Sequence, residues 1–549
     1  MDSASCALLI VLTCAMVHAL VGSFLAMATK ANHKLPPGPS SFPIIGNLLE
    51  LGEKPHKSLA KLAKIHGPII SLKLGQITTV VVSSAQMAKE VLLTNDQFLS
   101  NRTIPQSVSV LNHEQYSLAF MPISPLWREL RKICNTQLFA HKSLDASQDV
   151  RRKIVQQLVT DIHESSQMGE AVDIGTAAFK TTINLLSNTI FSVDLIHSTG
   201  KAEEFKDLVT NITKLVGSPN LADFFPVLKL LDPQSVRRRQ SKNSKKVLDM
   251  FDNLVSQRLK QREEGKVHND MLDAMLNISK ENKYMDKNMI EHLSHDIFVA
   301  GTDTTASTLE WAMTELVRHP HVMSKAKQEL EQITSKGNPI EEGDIGKLPY
   351  LQAIVKETLR LYPPVPFLLP RKADRDVDIG GYTIPKDAKV LVNMWTICRD
   401  PTLWDNPTMF SPDRFLGSDI DVKGRNFELA PYGAGRRICP GLSLANRMLL
   451  LMLGSLINSF DWKLGHDIET QDMDMDDKFG ITLQKAQPLR ILPPRPSGFP
   501  IIGNLLELGE KPHKSLAKLA KIHGPIMSLK LGQITTVVVS SAQMAKEGF

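Results

Sequence analysis

A run of residues near the C-terminus constrains this chain more than any other: Pro431-Tyr432-Gly433-Ala434-Gly435-Arg436-Arg437-Ile438-Cys439-Pro440-Gly441. One cysteine sits in a glycine-rich loop beside two arginines. Arginine favours an anionic sulfur, glycine lets the backbone approach a flat cofactor closely, and Pro440 limits the turn. The next segment, Leu442 to Leu456, is apolar enough for a buried helix. Such a helix would aim its N-terminal N–H groups at the sulfur. A fold containing this loop must set it against an interior surface with that helix behind it. From the loop alone, an ordinary turn carrying a small residue competes with a metal ligand.

The 549 residues suffice for one large domain or several small ones, and the composition is that of a globular protein. Five cysteines (Cys6, Cys14, Cys134, Cys398 and Cys439) show neither a disulfide framework nor a zinc spacing, which fits a reducing compartment. A net charge of +6 suits an anionic membrane surface or an acidic protein partner, and no nucleic-acid motif is visible. Residues 6–28 are almost unbroken apolar, long enough for a hydrocarbon core of ~30 Å. Asp2 and the length of the run argue against a cleaved signal peptide. Lys30, His33 and Lys34 follow at once, so the expected topology is a single-pass anchor over 1–30 with the body cytosolic. Pro36-Pro37-Gly38-Pro39 then predicts a stiff hinge over 31–41.

Beyond the hinge the pattern predicts a helix over 56–66, strands at Ile70–Leu74 and Thr78–Ser83, and a helix starting at Ala85. Residues 125–335 carry mainly helical periodicity. Short strands are expected at Val377–Thr383 and Lys389–Asn393 beside turn signals. The expected class is mainly α with a small β region, its body spanning 42–492. Residues 36–90 recur at 493–547, with only Gly38, Ser41 and Ile70 replaced, by Arg495, Gly498 and Met527. Architectural repeats diverge and form whole packing units. This one stops within a helix, so 493–549 reads as a non-functional partial duplication. Its strand Thr535–Val539 would lack a place that the first copy already fills.

Three further motifs carry chemistry. Ala300-Gly301-Thr302-Asp303-Thr304-Thr305 puts polar residues and a glycine into a long helix from about Met289 to Arg318. Such hydroxyls can bond back to carbonyls and bend a helix. Glu357 and Arg360 share a helix face at i, i+3, and Phe410-Ser411-Pro412-Asp413-Arg414-Phe415 follows downstream. Trp127 and Arg131 stand one turn apart, and arginine pairs well with carboxylates. Each is weak alone. Together, in this order with the Cys439 loop, they resemble the cytochrome P450 family from the hinge to about residue 485.

The resemblance implies the P450 fold with an N-terminal membrane anchor in the endoplasmic reticulum. It implies haem b bound by Cys439 as iron ligand, in a loop contributing Tyr432, Gly433, Gly435 and Gly441. Tyr432 departs from the family's usual Phe and places a phenol near the sulfur. Trp127, Arg131, Arg371 and Arg437 would meet the haem carboxylates. Thr304 would hydrogen-bond dioxygen, Asp303 would help relay protons, and Gly301 would leave room for oxygen. Glu357, Arg360 and Arg414 would form a structural triad that locks the segment leading to the haem loop. Phe120, Ala300, Val365, Leu369 and Phe479 would line a pocket for a small hydrophobic substrate. Electrons would come from NADPH through a separate flavoprotein reductase, the expected protein partner. Lys356–Ala373 and Phe427–Leu444 look most like the plant geraniol 8-hydroxylase group, implying hydroxylation of a monoterpenoid alcohol such as geraniol. A hydroxylase of another plant metabolite (diterpenoid, phenolic or xenobiotic), a reductase-independent peroxide rearrangement and an inactive fused gene product stay open at this point. Three glycosylation acceptors, at Asn101, Asn211 and Asn277, would be unused on the cytosolic side.

Overall fold

The computed structural model describes residues 34–168, 170–196, 199–334, 340–464, 472–493, 512–523, 526–531 and 534–540. The expected anchor over 1–30 lies outside the described residues. The long helix Lys287–Arg318 runs through the body, about 48 Å at ~1.5 Å per residue. Asp286 caps its start by accepting the Met289 N–H at 2.7 Å. Its surroundings are buried almost throughout, from Met289 to Val317. The helices Ile174–Phe191, Pro349–Leu361 and Leu442–Ser459 pack against it. Leu442–Ser459, which follows the cysteine loop, is apolar and long enough to cross a membrane, but most of it is core.

A five-stranded sheet stands beside the helices, in the order Ile69–Leu74, Ile77–Val82, Lys389–Val392, Arg371–Lys372, Asn101–Arg102. The first pair is an antiparallel hairpin with Ile69 opposite Val82. Ile77–Val82 pairs in parallel with Lys389–Val392, Val80 facing Val390. Val377–Ile379 and Tyr382–Ile384 form a separate hairpin turning at Gly380-Gly381. Both glycines have positive φ, +56° and +79°, as a tight hairpin turn demands. Among the described residues of 125–335 the one strand is the two-residue Val172–Asp173, so the helical reading of that region holds.

The proline-rich segment around Pro37 lies along the hairpin. Pro37 accepts the Ser71 N–H at 2.9 Å, and a Cβ on Gly38 would stand 2.0 Å from the Ser71 carbonyl oxygen. Only glycine fits there. The tail repeats the local structure with a helix Pro512–His523 and a hairpin Ile526–Leu531/Ile534–Val539 in equivalent register. Among the described residues this hairpin is a two-stranded sheet by itself. Val80 and Val82 are fully buried, whereas their counterparts Val537 and Val539 are 61% and 41% exposed.

Candidate active site

A cavity of about 340 Å³ lies between the cysteine loop and the long helix. Cys439, Pro431, Tyr432, Gly433 and Gly441 form one wall, and Ala300, Gly301, Thr304 and Thr305 form another. The cysteine loop is shaped by its backbone. Gly433 and Gly435 have φ of +72° and +67°, and the Cys439 N–H donates to the Tyr432 carbonyl at 3.0 Å. Gly435 serves a different surface from the one expected. A Cβ there would lie 2.1 Å from the Leu92 carbonyl oxygen, so its bare backbone permits loop packing rather than cofactor approach.

Burial raises the Cys439 thiol, while Arg131 and backbone N–H groups of Gly441 and Leu442 pull it back towards the thiolate. The two loop arginines point elsewhere. Arg436 bonds Asp96 at 2.9 Å, and Arg437 donates to the carbonyls of Ser100, Leu118 and Met121. The cation acting on the sulfur is therefore Arg131, a full domain away in sequence.

Arg131 belongs to Pro125–Ile133, a helix begun by Ser124, which accepts the Trp127 N–H at 3.1 Å, and by Pro125 in the first turn. Trp127 spends its indole N–H on the Leu118 carbonyl at 3.0 Å and lies under the Arg437 guanidinium, 4.5 Å from the ring centre. Arg131, Arg371, Arg437 and Arg102 all reach the cavity. Burial pushes Arg371 down to about 10 and Arg437 to about 9, the latter also through repulsion from Arg371 and Arg131. Arg102 is lowered by burial and by repulsion from Arg371 and Arg437. Four arginines and one carboxylate, Asp296, line the cavity among the described residues, an excess of positive charge that a bound anion would offset. A planar cofactor bearing two carboxylates matches that excess, and the Cys439 thiol on the cavity wall matches its metal. The donor set fits haem.

Thr304 lines the cavity, its hydroxyl donating to the Ala300 carbonyl at 2.7 Å. Asp303 lies one residue round the helix and off the cavity wall. Its carboxylate accepts from Thr213 Oγ1 at 3.2 Å and Gln484 Nε2 at 2.5 Å, and burial raises it. A Cβ on Gly301 would stand 3.1 Å from Leu186, so this glycine also lets two helices close together. Phe120, Ala300, Val365 and Leu369 line the cavity as expected by position. Phe479 does not; it stacks on His56 at 5.5 Å, and Ile481 and Thr482 take the wall instead. A shift of two residues within a turn separates the two outcomes.

Behind the cysteine loop, Glu357 binds Arg360 at 2.7 and 2.8 Å and Arg414 at 3.2 Å. Arg360 also donates to the carbonyls of Cys398, Pro407 and Met409, and Glu357 accepts the Ser411 N–H at 2.8 Å. The three side chains fasten the segment 398–414 to the helix Pro349–Leu361. Sequence reasoning missed His113, His292, His295 and Asp296, which gather beside the cavity. The spacing His292-x-x-His295-Asp296 on a helix, i, i+3, i+4, was the available signal.

A family model described as Cytochrome P450 matches residues 36–490 and again 493–549. Geraniol 8-hydroxylase of Catharanthus roseus is 53% identical over 86% of this chain and 95% of that protein. Cytochrome P450 76AD1 of Beta vulgaris is 51% identical over 90% of this chain and 99% of that protein. Geraniol 8-hydroxylase of Swertia mussotii is 51% identical over 84% of this chain and 94% of that protein.

Proposed function

The chain belongs to the cytochrome P450 family and is a haem-dependent monooxygenase close to plant geraniol 8-hydroxylases; we propose that its substrate is a monoterpenoid alcohol such as geraniol. The observation that carries the reading is 53% identity across nearly the whole of a geraniol 8-hydroxylase, joined to a cavity whose lining beyond the arginines is largely apolar. We further propose that an NADPH-dependent flavoprotein reductase supplies the electrons, that residues 6–28 anchor the chain in the endoplasmic reticulum membrane, and that 493–549 takes no part in the reaction.

Haem, once bound through Cys439, supplies the activation of dioxygen and the insertion of one oxygen atom into a C–H bond. The chain supplies the rest. Arg131, Arg371 and Arg437 would hold the cofactor carboxylates, with Trp127 stacked against Arg437. Phe120, Val365, Leu368 and Leu369 exclude water and press the hydrocarbon of the substrate towards the Thr304 wall. Thr304 would hold a hydroxyl at the cavity wall, turned from the Ala300 carbonyl towards bound ligand, and Asp303, held by Thr213 and Gln484, would keep a proton behind it on the helix.

Incubation of the full chain with a plant reductase, NADPH and geraniol tests the reading. Hydroxygeraniol is the expected product. Haem incorporation with NADPH oxidation but no oxidised monoterpenol would overturn the substrate and leave the reaction class standing.

A further inference from the structure

Beside the cavity, the long helix faces the short helix His113–Tyr116 across a polar cluster in otherwise apolar surroundings. His113, His292 and His295 are 8%, 6% and 4% exposed. His295 has no hydrogen-bond partner on either ring nitrogen. A buried imidazole with both nitrogens unsatisfied is costly, and such groups call for a ligand. One ligand atom each from His113, His295 and Asp296 lies within 4.8 Å of the other two. His113 Nε2 stands 3.1 Å from Asp296 Oδ1, and the His113 and His295 ring centres are 4.6 Å apart. All three residues reach the cavity wall, which provides a path of entry.

The groups behind these three are in place as well. His113 Nδ1 is 2.8 Å from His292 Nδ1, and Tyr116 stacks on the His292 ring at 4.7 Å. Asp296 accepts the Ser117 hydroxyl at 2.9 and 3.0 Å, and the Ala119 N–H at 3.4 Å. Metal-binding imidazoles and carboxylates are held by such outer partners. Without a metal, His113 Nε2–H can donate to Asp296; a metal taking Nε2 would move the ring proton to Nδ1, where His292 can accept it.

We propose that His113, His295 and Asp296 bind a divalent transition-metal ion of the Zn²⁺ class, separate from the haem iron. Two imidazoles and one carboxylate form a common three-residue zinc set with a fourth position left open, here towards the cavity. Tetrahedral bonds of ~2.0–2.1 Å bring ligand atoms to about 3.3 Å from one another, so side-chain rotation of roughly an ångström closes the site. His113 comes from the segment 105–120 and the other two ligands from the long helix. The ion would therefore cross-link a cavity wall to the core helix and restrain the segment 105–120.

The test uses the haem-loaded full chain and Zn²⁺ alone. Equilibrium dialysis with metal analysis should find a site of micromolar or tighter affinity in the wild type. His295→Leu and His113→Phe should each weaken that site at least tenfold while haem content and the carbon-monoxide spectrum report an intact fold. Hydrogen exchange in 105–120 should slow on zinc addition in the wild type only. Equal zinc affinity in wild type and both variants would overturn the proposal. Where a variant loses its haem, zinc X-ray absorption on the wild type decides: two imidazoles with one carboxylate support the site, and any other ligand set overturns it.

Discussion

Glu357 grips Arg360 through both carboxylate oxygens, three residues apart on one helix and with neither side chain reached by solvent. The pair stabilises the fold through the carbonyls that Arg360 collects from the segment leading to the cysteine loop. Glu357→Ala strands two guanidinium groups and should cost about 3–5 kcal/mol. Chemical unfolding of the variant measures this, and haem content should fall with it. A variant of unchanged stability would remove the triad from the folding role.

Cys439→Ser replaces the soft anionic ligand by a neutral hydroxyl. The thiolate-type carbon-monoxide spectrum should vanish, whether or not haem stays bound. Its persistence would displace Cys439 as the iron ligand.

Tyr432 lines the cavity, its hydroxyl makes no protein hydrogen bond among the described residues, and burial together with the Cys439 charge raises its phenol. Tyr432→Phe removes an unpaired hydroxyl, so thermal stability should hold or rise slightly. Haem and its thiolate spectrum should be retained while the reduction potential shifts. Loss of haem would show that the hydroxyl holds the cofactor.

Asp303→Asn separates two roles by pH. Burial raises the Asp303 carboxyl above its ordinary value near 3.8, so the folded state holds the proton more tightly than the unfolded chain. Stability from this group is full at low pH and declines as pH rises through 3.8 to the higher folded value. The variant should lose that decline and be the more stable protein at neutral pH. If the carboxyl relays protons, turnover should drop at least tenfold with substrate binding unchanged. Unchanged turnover would leave Asp303 a purely structural link to Thr213 and Gln484.

Truncation after Pro493 keeps the carbonyl that Ser166 Oγ donates to and the strand Arg490–Leu492 paired with Val172–Asp173. Haem incorporation should equal that of the full chain, by spectroscopy on both proteins side by side. A haem-free truncated protein would give the tail a structural role.

Local chemistry made much of this legible. The Cys439 loop, the Glu357–Arg360 pair and the Thr304 helix are each written in one short stretch, because a turn or a helix face fixes them. The hairpin at 69–82 follows from alternation and a tight turn. What stayed hidden depends on rotation and on distance along the chain. Asp303 and Thr304 differ by about 100° round one helix, and that angle decides which meets the cavity. Arg131 replaces the loop arginines beside the sulfur because Arg437 is consumed by three carbonyls, which no spacing announces. His113 and His295 meet across more than 180 residues.

The duplicated hairpin gives this chain two applicants for one vacancy, the parallel edge of Lys389–Val392. Order of synthesis favours the first. Ile534 follows Val392 by about 140 residues, roughly 10–30 s of ribosomal elongation during which Ile77–Val82 can pair unopposed. Arg495 adds a second handicap, since the position equivalent to Gly38 has no room for a side chain against the hairpin. Refolding from denaturant abolishes the head start and leaves only that steric difference. The newly made and the refolded enzyme need not be the same population, and the choice between them is recorded in the history of the chain as well as in its free energy.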